Sequence, residues 1–137
     1  MKLLRSSSVL LALILSAGVS AQNLIGYSAG EIKDYMRKNH KTMNFQSMIY
    51  NKDFKYLKYT DRNDTQTLLF FLSADSVCRS VRSVCDRSLR DQKIMELDEK
   101  YRRSGENVWT ETRQGKKYII ELKDDEWSFN VTIRPND

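Results

Sequence analysis

One stretch near the C-terminal end constrains the fold of this chain more than any other. Trp127, Phe129, Val131 and Ile133 alternate with Ser128, Asn130, Thr132 and Arg134. A period of two marks a strand with one buried face and one wetted face. Upstream, Val108–Arg113 turns at Gln114-Gly115 into Lys116–Leu122, which turns at Lys123-Asp124-Asp125 into Trp127–Arg134. Segments of this kind joined by short polar turns predict an antiparallel meander. Such a sheet needs an apolar layer over at least one face.

The covering elements are legible by helical spacing. Ser28 with Glu31 three places on has the spacing of a capping box, and Ile32, Tyr35 and Met36 then recur through about His40. Short aromatic-rich segments follow: Phe45–Tyr50, Phe54–Thr60 and Thr65–Leu72, each closed by a polar turn. They read as three strands. Thr65–Leu72 is apolar on both faces, so it belongs inside the sheet, with one face toward the helices and the other either covered or open for recognition. Val77–Asp86 fits a helical stripe and a strand; its valines and the preceding turn favour a fourth strand. Ile94, Leu97 and Tyr101 start a new stripe, giving a second helix from about Ser88 that stops at Gly105.

The expected architecture is therefore α+β: an antiparallel sheet of about seven strands with two helices on one face, in the order α-β-β-β-β-α-β-β-β. The recurrence suggests a degenerate tandem repeat. A shift of 62 lays Ile32 on Ile94, Tyr35 on Leu97 and Tyr56-Leu57 on Tyr118-Ile119.

The first residues add a location. Lys2 and Arg5 precede an apolar run from Val9 to Leu15, and Val19-Ser20-Ala21 supplies the small residues of a cleavage site. Residues 1–21 read as a signal peptide cleaved near Ala21-Gln22, with 22–137 as a single domain outside the cytoplasm, periplasmic or secreted. The apolar run is shorter than the ~20 residues of a membrane span. Losing Lys2 and Arg5 takes the formal charge from +5 to +3, an ordinary solubility charge that gives no support to nucleic-acid binding. Cys78 and Cys85 are seven residues apart. That places them ~10 Å apart on a helix or roughly 20 Å on a strand, so buried free thiols are favoured over a disulfide.

Catalytic equipment is sparse. His40 is the single histidine, which leaves zinc ligation and a nucleophile–base pair without partners. No phosphate-binding glycine loop occurs, and no cofactor or metal is expected. Asp124, Asp125 and Glu126 read as turn residues. A carboxylate-dependent envelope hydrolase stays open as an alternative through Glu111 and Glu121 on neighbouring strands; a small-ligand carrier would need a cavity between helices and sheet. Arg79, Arg82, Arg87, Arg90, Lys100, Arg102 and Arg103 form the main cationic concentration, either a solvated side or a site for an acidic partner.

The order of elements resembles the beta-lactamase inhibitory protein family, exported domains built from two helix-plus-antiparallel-sheet units. The resemblance lies in topology over nearly the whole domain and carries no motif; this chain is shorter and its cysteine spacing differs from a small disulfide loop. It implies binding of a protein by the sheet face through aromatic anchors, which by residue type would be Tyr50, Tyr56, Tyr59, Trp109 and Trp127. The expected function is an exported, non-enzymatic binding module for a protein or an envelope polymer.

Overall fold

The computed structural model describes residues 23–136; the expected leader and its cleavage point lie outside them. Two helices and eight strands follow one another as α1 (Ala29–Asn39), β1 (Met43–Tyr50), β2 (Lys55–Asp61), β3 (Gln66–Leu72), β4 (Cys78–Asp86), α2 (Arg90–Lys100), β5 (Arg102–Gly105), β6 (Val108–Arg113), β7 (Lys116–Asp124) and β8 (Ser128–Pro135). All strands join one antiparallel sheet in the order β1-β2-β3-β4-β8-β7-β6-β5. Each half is a helix followed by a four-strand meander, and the two meanders meet at β4 and β8.

The capping box forms as the sequence predicts. Ser28 Oγ accepts from the Glu31 N–H at 3.2 Å, and the Ser28 N–H donates to Glu31 Oε1 at 2.9 Å. Val77–Asp86 resolves as a strand, β4. The second helix is shorter than expected and the sheet has one strand more, eight instead of seven. Tyr101 fits the helical stripe, yet its backbone is extended (φ −129°, ψ 166°). The chain leaves the helix there and runs into β5, so Gly105 ends a strand instead of capping a helix.

The fixed shift of 62 also needs correction beyond the helices. Ala29 to Arg90 is a step of 61, but Gln66 to Lys116 and Cys78 to Ser128 are steps of 50. The second half has tighter connections, so a constant shift sets β2 against β7 and not against its counterpart β6.

Burial alternates residue by residue along the middle of β2, β3 and β8. On one face Leu57, Leu68, Phe70, Val81, Ile120, Phe129, Val131 and Ile133 are at most 1% exposed and form one core with Ile32, Met36 and Leu97 of the helices. Both helices cover this face: α2 reaches Trp109 through Asp98, and α1 lines a groove with Phe45 and Tyr59. The segment before α1 is tied in as well. Arg113 donates to the Asn23 and Ile25 carbonyls at 2.6 and 2.8 Å, and the Cys78 N–H donates to the Tyr27 carbonyl. Among the described residues no helix is long and apolar enough to cross a membrane.

Candidate functional site

The candidate site is the sheet face opposite the helices. In a regular strand, residues an odd number apart face opposite ways, so the core assignments fix the rest. Tyr56, Lys58, Leu69, Phe71, Arg82, Val84, Ile119 and Thr132 all lie on the uncovered face, and the apolar ones among them are half-buried. Their shielding comes from one another. Register aligns Ile49, Tyr56, Phe71 and Ser80 in one row and Lys58, Leu69, Arg82, Thr132 and Glu121 in the next.

At the centre of the first meander these rows make a defined cluster. The Tyr56 and Phe71 rings pack at 5.4 Å between centroids, and the Arg82 guanidinium lies over Phe71 at 5.6 Å. Lys58 and Arg82 flank Leu69 on either side. Lys123 and Arg134 share this face through their pairing with Asn130 and Ile119, while Glu121 opposes them. The outcome is an apolar and aromatic centre in a surround where cations outnumber acids, which suits an anionic partner that also carries apolar groups.

The five expected anchors do not form one patch. Tyr56 is on the uncovered face. Tyr59 (4% exposed) and Trp109 (0%) belong to the core; burial raises the Tyr59 phenol above its ordinary value, and Trp109 Nε1 donates to Asp98 at 2.8 Å. Tyr50 (72% exposed) and Trp127 (79%) are solvent-exposed but lie at opposite ends of the sheet. Tyr50 ends β1 near the β3–β4 turn, whereas Trp127 sits in the β7–β8 turn beside the end of β4. Phe71 and Leu69 are the site residues that the expected anchors omit, although the two-faced apolar character of 65–72 points to them.

The catalytic alternatives find no assembled site. Glu111 and Glu121 do sit on adjacent strands, but Glu111 opposes Tyr118 on the helix side and Glu121 opposes Thr132 on the uncovered side. Glu111 accepts from Asn23 Nδ2 at 2.6 Å. Asp124 is held by Arg90 through two bonds of 2.7 and 2.9 Å, which keeps its carboxyl below the usual range. Arg87 donates to the Asp125 and Glu126 carbonyls. Arg87 and Arg90 thus brace a turn and are spent there.

Cys78 and Cys85 are both free and buried. Burial pushes the Cys78 thiol up to about 12 and raises that of Cys85, so neither is poised as a nucleophile. His40 closes α1 through its backbone N–H to the Met36 carbonyl, and its Nε2 is buried without a hydrogen-bond partner. Among the described residues no group of three or more His, Cys, Asp or Glu could hold a metal.

A polar cleft of about 490 Å³ lies between α2, the start of β1 and the β2–β3 turn. Its lining includes Lys93, which is 3% exposed and lies 3.4 Å from Glu96. The Asp61 carboxylate there is already occupied by the Thr65 and Gln66 N–H groups. No family model, curated protein or solved structure matches the chain.

Proposed function

We propose that this chain is an exported, non-enzymatic binding module that holds an acidic protein on the uncovered face of its sheet. The observation that carries the reading is the Tyr56–Phe71–Arg82 cluster, left uncovered on the first-meander part of that face. Aromatic rings and an arginine in a shared patch are the residue types that dominate binding energy where proteins meet. Export rests on the leader read at residues 1–21. The likeness in topology to the beta-lactamase inhibitory protein family agrees with a sheet-face binder, and nothing in this chain points to a beta-lactamase as its target.

The test is a cross-linking pull-down from native envelope and culture fluid with the wild-type chain and with Tyr56→Ala/Phe71→Ala. The expected result is an acidic protein retained by the wild type and lost in a variant that still folds. Retention by both, or an anionic glycan in place of a protein, would overturn this reading of the face.

A further inference from the structure

The two edges of the sheet are built differently. β5 is four residues long, exposed throughout, and contains Arg102 and Arg103. A short, charged edge strand resists pairing with another chain. β1 is eight residues long, Met43–Tyr50, with no charged residue and no proline in it. It pairs only with β2, so about half of its N–H and C=O groups point outward and are available to another strand. A bulge at Gln46 is its one irregularity.

The side chains of β1 extend the same feature. Register puts Met43, Phe45, Met48 and Tyr50 on the helix side, but cover is complete only at Met43. Phe45, Met48 and Tyr50 are 45%, 37% and 72% exposed, forming an apolar ledge that α1 covers only in part. Inward of the ledge, a groove of about 600 Å³ runs between α1 and β1, rimmed by Lys33, Arg37 and Lys41. Arg37 is paired with Asp34, and the Lys33 ammonium lies 5.0 Å over the Phe45 ring. Among the described residues neither Lys33 nor Lys41 has a carboxylate within ion-pair distance.

We propose that β1 is a docking edge that takes an extended segment of a partner protein as a ninth strand. The segment places apolar side chains along Met48 and Tyr50 and an acidic side chain against Lys33 and Lys41. Strand addition supplies affinity through main-chain hydrogen bonds and specificity through alternate side chains. Lys33 and Lys41 beside the groove favour an acidic segment, and charge disfavours a second copy in the full-overlap register. In a symmetric antiparallel pairing that sets Met43 opposite Tyr50, Lys41 of each copy falls opposite Lys52 of the other, and like charges placed so are destabilising. The inference is independent of the sheet-face function, because Tyr56 and Phe71 lie on the opposite side of the sheet.

The experiment uses the full chain and synthetic extended peptides the length of β1 whose alternate positions carry Glu at one end and Phe and Val at the other, with Thr at the positions between. Three relatives accompany them: one with Lys for each Glu, and two N-methylated on alternate residues in the two possible phases. Anisotropy gives affinity and backbone amide NMR gives location. The expected result is shifts at β1, a Kd about tenfold tighter for the Glu peptide than for the Lys peptide, and loss of binding in one N-methylated phase alone. Met48→Glu is expected to weaken binding, and Tyr56→Ala to leave it unchanged. Absence of binding at millimolar peptide would overturn the proposal. So would indifference to charge or N-methylation, shifts centred on Tyr56 and Phe71, or sedimentation showing two β1 edges paired with each other.

Discussion

The halves of the molecule share one plan and finish it differently. In the second half the outer strands are tied to α2, although β5 itself is exposed. Trp109 is fully buried in β6, its Nε1 is held by Asp98 of α2, and Arg103 of β5 bonds Asp98 at 3.1 Å while stacking 5.0 Å above the Trp109 ring. In the first half the corresponding layer stops short, leaving Phe45, Met48 and Tyr50 of β1 partly in water. The uncovered face follows the same division: its aromatic pair, Tyr56 and Phe71, belongs to the first meander. Both halves fill the core, and the difference lies at the edges: the second half buries its edge-side aromatic, Trp109, and the first leaves its edge apolar residues exposed.

The largest effect that would sharpen this contrast comes from paired truncations. Trp109→Ala removes a filled core volume and leaves a cavity, so it is expected to cost about 3–5 kcal/mol in denaturant unfolding. Met48→Ala on the ledge is expected to stay within about 0.5 kcal/mol, as surface changes do. Comparable losses at the two positions would erase the distinction between the halves.

A smaller effect concerns His40 at the end of α1. Burial, then the Lys100 and Lys93 charges of α2, hold the His40 imidazole below its ordinary value of 6.5. The unfolded chain thus takes up a proton more readily than the folded one. The stability present above about pH 6.5 is lost as the pH falls through the window beneath it. His40→Gln is expected to flatten that slope in thermal melts. A separate acid limb should remain, because Asp61, Asp98 and Asp124 are also held below their ordinary 3.8; their stabilisation is lost as pH falls from about that value through their folded pKa values. An unchanged slope between neutral pH and about 5 in the variant would rule out His40 as its source.

Much of the fold was legible because period-two alternation and capping chemistry are local. Ser28 with Glu31 and Phe129 to Ile133 each specify their own structure, whereas Trp127 leaves the expected buried stripe for the β7–β8 turn and is exposed. β5 was not legible, because Arg102–Gly105 is too short to show a period and Tyr101 continues the helical stripe before it. The site was legible only in part. Tyr56 and Tyr59 are three residues apart in one strand, so parity alone sends them to opposite faces. Which face the helices would cover is decided by packing across the whole sheet, which no local pattern contains. Trp109 looked like an anchor by type, but the partner that retains it, Asp98, lies eleven residues away on another element.

The most direct test of the uncovered face is hydroxyl-radical footprinting of the free protein, read residue by residue in β2 and β3. Tyr56 and Phe71 are expected to oxidise much faster than Tyr59 and Phe70, their neighbours on the same two strands. A register slip of one residue would exchange the two sets. Protection of Tyr56 and Phe71 together with rapid labelling of Tyr59 and Phe70 would contradict the account at its centre.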